Sequence, residues 1–291
     1  MSLGGGVFTS SRFGPLVPGN IHIEQPDTYR GRCCSSKGGC TLECAKELER
    51  TILHEGPSSV AAFIGEPISA AAGIHIPHPE YWPTIREICD KYGILLIFDE
   101  VITGWGRMGS PFGAQAFDVT PDIMTMAKAI TNGVMPLGAV ASREKIYDTI
   151  VESSPTGAIE FFHGYTYSAI PVSMAAGLAM QNIIEKENLF QRAKEMSPYF
   201  LDGLFSLKDI EGITDIRGYG MMGGIDIKMD KKPGAAGFTC FKHCYEAGVN
   251  FKATGDCLII APMFICEKKH IDEIIEKLRV GINNYSKSKK N

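Results

Sequence analysis

Short apolar runs of strand length alternate with helical patterns through the first half of the chain, and this alternation constrains the fold more than any other feature. Residues 59–68 read as a buried strand, 80–92 as a helix, 94–101 as a second buried strand, 122–127 as a third, and 137–141 as a fourth leading into a helix at 143–150. Strands that are apolar throughout must be covered on both faces, and helices between consecutive parallel strands supply that cover. The expected architecture is therefore α/β with a mainly parallel sheet. Residues 1–44, rich in Pro, Gly and Ser, read as loop, with the first helix at 42–54. A long helical stretch covers 171–207 with a break near Glu187. Beyond it come strands at 213–217 and 222–229, a helix at 235–247, a strand at 258–261 and an amphipathic helix at 268–285. This predicts two domains, a large α/β domain over residues 1–187 and a smaller α+β domain over 188–291.

Composition narrows the partners. Lys and Arg number 29 against 33 Asp and Glu, a formal net charge of -4, so no basic surface is implied and nucleic acid is not an expected partner. No apolar run approaches the roughly 18 residues of a membrane helix, so no membrane partner is expected either. The first residues lack the basic and apolar regions of a signal peptide, and the expected location is cytoplasmic.

Of nine cysteines, Cys33, Cys34, Cys40 and Cys44 cluster. Zinc is the sharp reading of that cluster, but C-C-x5-C-x3-C fits no standard paired knuckle and no histidine lies close. Reduced thiols are the expectation. Cys240 and Cys244, four apart, share one helix face and read as small apolar residues. His75 and His78 stand in a Pro-rich loop without a third partner and read as surface or packing residues; no metal is expected. Residues 217–223 contain a literal G-x-G-x-x-G, yet residues 224–227 read as another strand rather than the start of a helix, so a tight turn is expected there.

The chemistry concentrates in FDEVITGWGRMGSPFGAQAFDVTPDIMTMAKAITNGVMPLGAVA, residues 98–141. Asp99 and Glu100 end one apolar strand and Lys128 ends the next, and ligands of parallel α/β sheets bind at the carboxyl ends of strands. Either charge alone is more simply a solvent-exposed rim group. Together they make one proposal, because a partly desolvated lysine amine forms a Schiff base with an aldehyde cofactor, while a pyridoxal ring needs an anion at its pyridine nitrogen. Val101, two residues beyond Asp99, is expected on the same strand face, packing against the ring.

These residues resemble the class III aminotransferases of fold type I, most closely the omega-amino acid:pyruvate aminotransferases. The stretch is similar to their F-D-E-V-x-T-G-x-G-R-x-G signature, which implies that Asp99 holds the pyridine nitrogen and Lys128 is the Schiff-base residue of pyridoxal 5'-phosphate. Ala62-Phe63-Ile64-Gly65-Glu66-Pro67 is similar to the family's A-x-I-x-E-P strand end, which places Glu66 in the active site. His163-Gly164-Tyr165-Thr166-Tyr167-Ser168 is similar to the segment before the interdomain helix, which implies that the Thr166 hydroxyl binds the cofactor phosphate of a neighbouring subunit, and hence a homodimer.

Two departures accompany the resemblance. Where many relatives carry an arginine that clamps a substrate carboxylate, this chain has Lys252, a point charge without the planar fork. The resemblance also spans residues 7–285 but reaches only the later part of the large domain and the small domain. The ring-stacking aromatic and the phosphate-binding turn that precede it in the family have no counterpart here, and uncovered sheet edges or apolar surface are expected. The resemblance implies transfer of an amino group from an omega-amino acid or amine to a keto acid such as pyruvate. Dialkylglycine decarboxylases and glutamate-semialdehyde aminomutases share the same core residues and stay open as alternatives, as does a catalytically silent homologue acting as a scaffold.

Overall fold

The computed structural model describes residues 2–6, 10–28, 39–230 and 232–289, and the backbone of 34–35. A small antiparallel hairpin, β1 (Cys34–Ser35) with β2 (Gly39–Cys40), lies within the stretch expected to be loop. Cys40 is disulfide-bonded, which corrects the expectation of reduced thiols at that position. The thiols of Cys44, Cys89, Cys240, Cys244, Cys257 and Cys266 are buried and outside any disulfide. Cys33 lies outside the described residues. Among the described residues no group of three or more His, Cys, Asp or Glu is placed to hold a metal ion, and no helix is long and apolar enough to cross a membrane.

The first sheet has the order β3 (Ala62–Gly65), β4 (Leu95–Asp99), β5 (Ile123–Met126), β6 (Ala139–Ser142). The pairs β3·β4 and β4·β5 are parallel, as expected, whereas β6 runs antiparallel to β5. The link from β5 to β6 holds only a short 3-10 turn (Lys128–Ile130) and no crossover helix, so the chain reverses as in a hairpin. Each strand is shorter than its apolar run; the run at 59–68 begins with a 3-10 turn at Pro57–Ser59.

Helices α1 (Glu43–Glu55) and α2 (Tyr81–Tyr92) cover one face of this sheet. Cys44, Ala45, Leu48 and Ile52 of α1 recur at helical spacing and meet Tyr81, Trp82, Ile85, Ile88 and Cys89 of α2, over Leu96 and Phe98. Trp82 packs edge-on against Phe98 at 4.6 Å and donates its indole N–H to the Pro67 carbonyl at 2.9 Å, so the ring is buried without an orphaned donor. Gly65 makes room for it: a Cβ there would lie 2.8 Å from the Trp82 ring.

Asp122 fastens the same layer. Its carboxylate accepts the Leu96 N–H at 2.7 Å, pairs with Arg86 of α2 at 2.7 Å and reaches Arg143 at 3.2 Å. Burial works to raise this carboxyl, but the Leu96 amide and the Arg86 guanidinium outweigh it and hold the group below the ordinary aspartate value. Asp122→Ala is expected to cost about 3 kcal/mol at neutral pH, because it leaves the largely buried Arg86 guanidinium only the exposed Asp90 and strands a buried N–H. A depressed carboxyl contributes above its unfolded value of 3.8 and loses that contribution as pH falls through its folded value, so urea unfolding curves of variant and parent should converge in acid.

The opposite side of the sheet is open. No residue of α4 (Glu144–Ser153), the helix after β6, is buried, and Val140 of β6 is 70% exposed. This is the uncovered edge and apolar surface expected from the sequence. Beyond α3 (Gly113–Ala116) and α4, the long helical stretch divides into α5 (Pro171–Lys186) and α6 (Leu189–Phe205), the break falling at Glu187 and at Asn188, whose φ of 49° is left-handed.

The second sheet is antiparallel, β7 (Ile213–Tyr219), β8 (Met222–Ile227), β10 (Cys257–Ile260), β9 (Lys252–Thr254). The three-residue strand β9 had no sequence signal. Helices α6, α7 (Ala235–Glu246) and α8 (Lys268–Ser288) pack on this sheet around a core that includes Phe200, Leu204, Ile225, Leu258, Ile271 and Leu278. Cys240 and Cys244 are fully buried on one face of α7, as expected. The G-x-G-x-x-G is the β7–β8 hairpin: Gly220 turns at φ 59°, and a Cβ there would lie 2.4 Å from the Met108 backbone. A third cluster, Ile68, Ala70, Ile74, Met108 and Met222, joins the two sheets.

Candidate active site

Three ionisable residues follow three adjacent parallel strands at their carboxyl ends. In the β3·β4 register Gly65 stands opposite Phe98, so the next residues, Glu66 and Asp99, lie side by side. Asp99 in turn stands opposite Thr125 of β5, and Lys128 follows that strand after two residues. Glu66 feels the charges of the other two. Burial pushes the Glu66 carboxyl above the usual carboxylate range, hydrogen bonds from the Ala70 amide and Ser69 hydroxyl oppose this, the Asp99 charge adds to the rise and the Lys128 ammonium offsets it. Glu66 accepts the Ala70 N–H at 3.2 Å and the Ser69 hydroxyl at 3.4 Å.

Neighbouring carboxylates at the end of β4 part ways. Asp99 is half-buried, and its Oδ1 accepts the Val101 N–H at 3.1 Å. Glu100 is fully buried: it accepts the Thr103 hydroxyl at 2.5 Å and the Gly113 and Ala114 amides at 2.9 Å each, so it caps α3. Burial pushes the Glu100 carboxyl up against these donors. Glu100 therefore anchors the loop after β4, and Asp99 is the carboxylate left for chemistry.

Two expectations need correction. Val101 does not share a strand face with Asp99, because β4 ends at Asp99 and the chain enters a turn as Glu100 is drawn inward. Val101 stays beside Asp99 through the hydrogen bond just given, not through strand alternation. Lys128 is exposed rather than partly desolvated. Its left-handed φ of 47° opens the 3-10 turn, and the surface toward β6 stays uncovered within the single chain.

The remaining candidates stand apart from this group. Thr166 is exposed in a turn closed by the Tyr165 N–H donating to Ser168 Oγ at 3.0 Å. Lys252 is exposed at the start of the edge strand β9, opposite Ile259. Among the described residues no hydrogen bond or ion pair joins either to Glu66, Asp99 or Lys128. His75 and His78 serve their own loop: His75 pairs with Asp27 at 3.0 Å and with the Ala72 carbonyl at 3.2 Å, and His78 Nδ1 accepts the Glu80 N–H at 3.2 Å.

Sequence reasoning missed two partly buried arginines. Arg107 donates to the Met221 and Pro262 carbonyls at 2.8 and 2.7 Å and stacks on Phe264, and burial lowers its guanidinium to about 10. Arg217 reaches from β7 to the loop after Glu66. The only available signal was an arginine next to a glycine in each case, Gly106-Arg107 and Arg217-Gly218.

The donor set suits one kind of group. A half-buried carboxylate and an exposed lysine side chain, on adjacent strand ends, match an aromatic ring nitrogen that must stay protonated and an aldehyde that takes an amine.

Comparison with known proteins agrees with this chemistry. The family model described as Aminotransferase class-III matches residues 1–282. The omega-aminotransferase of Caulobacter vibrioides is 40% identical over 285 residues, covering 96% of this chain and 64% of that protein. The beta-alanine–pyruvate aminotransferase of Pseudomonas aeruginosa is 40% identical over 286 residues, 97% of this chain and 63% of that protein. The chain thus spans less than two thirds of these relatives. Among solved structures, the omega transaminase from Pseudomonas jessenii in complex with PMP superposes with a TM-score of 0.92 at 32% identity, over 99% of this chain and 65% of that one. A match that runs almost the full length of the chain, with the strand-end residues of the family's signature side by side in the fold, places this protein in the class III aminotransferase family.

Proposed function

We propose that the protein transfers an amino group from an omega-amino acid or amine to a keto acid such as pyruvate, with pyridoxal 5'-phosphate as cofactor. The observation that carries this reading is the adjacency of Glu66, Asp99 and Lys128 on three neighbouring strand ends. When bound, the cofactor supplies an electron sink for the carbon that bears the donor amine. Asp99 would keep the ring nitrogen protonated, Lys128 Nζ would hold the aldehyde carbon until the donor amine takes its place there and, once freed, would carry the proton at the donor carbon, and Val101 would pack on the ring. Glu66 lines the same space. The exposed Thr166 hydroxyl reaches the cofactor phosphate of a second subunit, which makes the working unit a homodimer. The open face around β6 and the exposed side chains of Phe162, Tyr165 and Tyr167 support such an interface. Lys252 meets a donor or acceptor carboxylate as a point charge, so simple amines should compete better with omega-amino acids than they would against an arginine fork. A cytoplasmic location and domains of residues 1–187 and 188–291 complete the reading.

The test is alanine formation from pyruvate with a panel of omega-amino acids and amines. The parent protein with added cofactor is expected to produce alanine, and Asp99→Asn to lower kcat by at least about a hundredfold with little change in melting temperature. A folded parent that makes no alanine from any donor would instead support a catalytically silent homologue.

A further inference from the structure

Arg217 is a largely buried cation that amino transfer as described leaves without a role. It stands in β7, yet its Nε donates to the carbonyls of Gly73 at 2.8 Å and Ile74 at 3.1 Å, in the loop after Glu66. Asp215 at 2.6 Å and Asp226 at 3.1 Å flank the guanidinium and fix its fork. The carbonyls it grips belong to a strained turn. Ile74 has a φ of 58°, a left-handed backbone that a β-branched residue adopts at a cost of about 1–3 kcal/mol. The Ile74 side chain is only 1% exposed, packed with Ile68, Ala70, Met108 and Met222. The loop closes on itself through paired backbone hydrogen bonds between Ser69 and His75 at 3.2 and 2.9 Å. At its start, the Glu66 carboxylate accepts from Ala70 and Ser69. The hairpin that carries Arg217 also touches the segment downstream of Asp99, where the Met221 N–H donates to the Arg107 carbonyl at 2.9 Å.

We infer that Arg217 is a positioning residue for Glu66: by holding the Gly73 and Ile74 carbonyls it keeps the strained 69–76 loop closed, and with it the carboxylate beside Asp99 and Lys128. The consequence for turnover rests on the amino-transfer reading above. Anchoring of the loop does not.

The test pairs a kinetic cycle with amide exchange. Arg217→Gln removes the anchor. Gly73→Ala keeps the Arg217 side chain and its two carboxylates but sets a Cβ 3.1 Å from His75 Nε2 and 3.2 Å from Arg217 Nη2, at a φ of +139°, so that the contact with the Gly73 carbonyl must shift. Each is expected to lower kcat/KM for the amino donor about tenfold, mostly in kcat, because a displaced group costs orientation rather than affinity. In a Glu66→Gln background neither should lower it further by more than about twofold, since a residue acting through Glu66 has nothing left to position. Exchange of the 69–76 amides should accelerate while β4 and α8 keep their protection, which shows the fold intact. Losses that multiply in the Glu66→Gln background, or unchanged exchange in the loop, would overturn the inference. A parent that transfers no amino group contradicts the proposed function instead, and the exchange comparison then decides the anchoring by itself.

Discussion

Lys128→Ala is expected to lower amino transfer to pyruvate by at least about a thousandfold, because one amine both holds the aldehyde carbon and moves the proton at the donor carbon. The fold should not notice the change. Lys128 is exposed, and its left-handed φ of 47° belongs to the turn rather than to any contact of the side chain. Alanine in that backbone conformation costs about 1 kcal/mol, similar to what lysine already bears. A melting temperature within a few degrees of the parent, measured with the kinetics, separates loss of chemistry from loss of structure. An added primary amine should restore part of the rate, since it replaces the proton carrier without replacing the tether.

A large effect on stability, opposite in sign to helix propensity, is expected from Gly281→Ala. In an open helix the change would stabilise by up to about 1 kcal/mol, because glycine is the poorer helix former. Here contact decides the sign. A Cβ at 281 would lie 2.5 Å from Cys244 Cα and 2.8 Å from Cys244 N, against the backbone of α7, which cannot swing away as a side chain would. Relief requires α7 and α8 to move apart, opening the core around Cys244, Leu278 and Ile282. A net loss of about 2–3 kcal/mol is expected by urea unfolding. An unchanged or raised midpoint would show that this helix pair is looser than the close approach of Gly281 implies.

The parts of the fold legible in the sequence are those with a local signal. Parallel strands β3, β4 and β5 announce themselves as apolar runs between helical patterns, and the charges that end them mark the sheet edge where ligands bind. That is why Asp99 and Lys128 can be named together, whereas Glu66, inside the apolar run at 59–68, is named only through the family resemblance. Strand direction carries no such signal: the apolar run at 137–141 reads the same whichever way it runs, and β6 turns out antiparallel. The three-residue β9 is too short to show a period. Alternation assigns Val101 to a strand that in fact ends two residues earlier, where Glu100 turns inward to cap α3. The exposure of Lys128 depends on what covers the sheet beyond β6, which the alternation does not encode. Least legible are contacts distant in sequence, above all Arg217 on Gly73, 144 residues apart. An arginine beside a glycine-rich turn looks like part of that turn until the fold brings the loop to it.

The open face joins these observations. β3 and β6 are the edge strands of the four-stranded sheet, and β6, α4 and the segment around Tyr165 and Tyr167 carry exposed apolar side chains. Exposed strand edges and apolar patches of this kind seek cover. The same face leaves Lys128 in solvent.

The most direct test of the central claim is covalent. The protein is incubated with pyridoxal 5'-phosphate, reduced with borohydride, digested and analysed by mass spectrometry, alongside Lys128→Ala. Reduction should fix one cofactor per chain on the peptide that contains Lys128, with none fixed specifically in the variant. Label spread over surface lysines, or equal label in parent and variant, would contradict the assignment of Lys128 and with it the aminotransferase mechanism proposed for this chain.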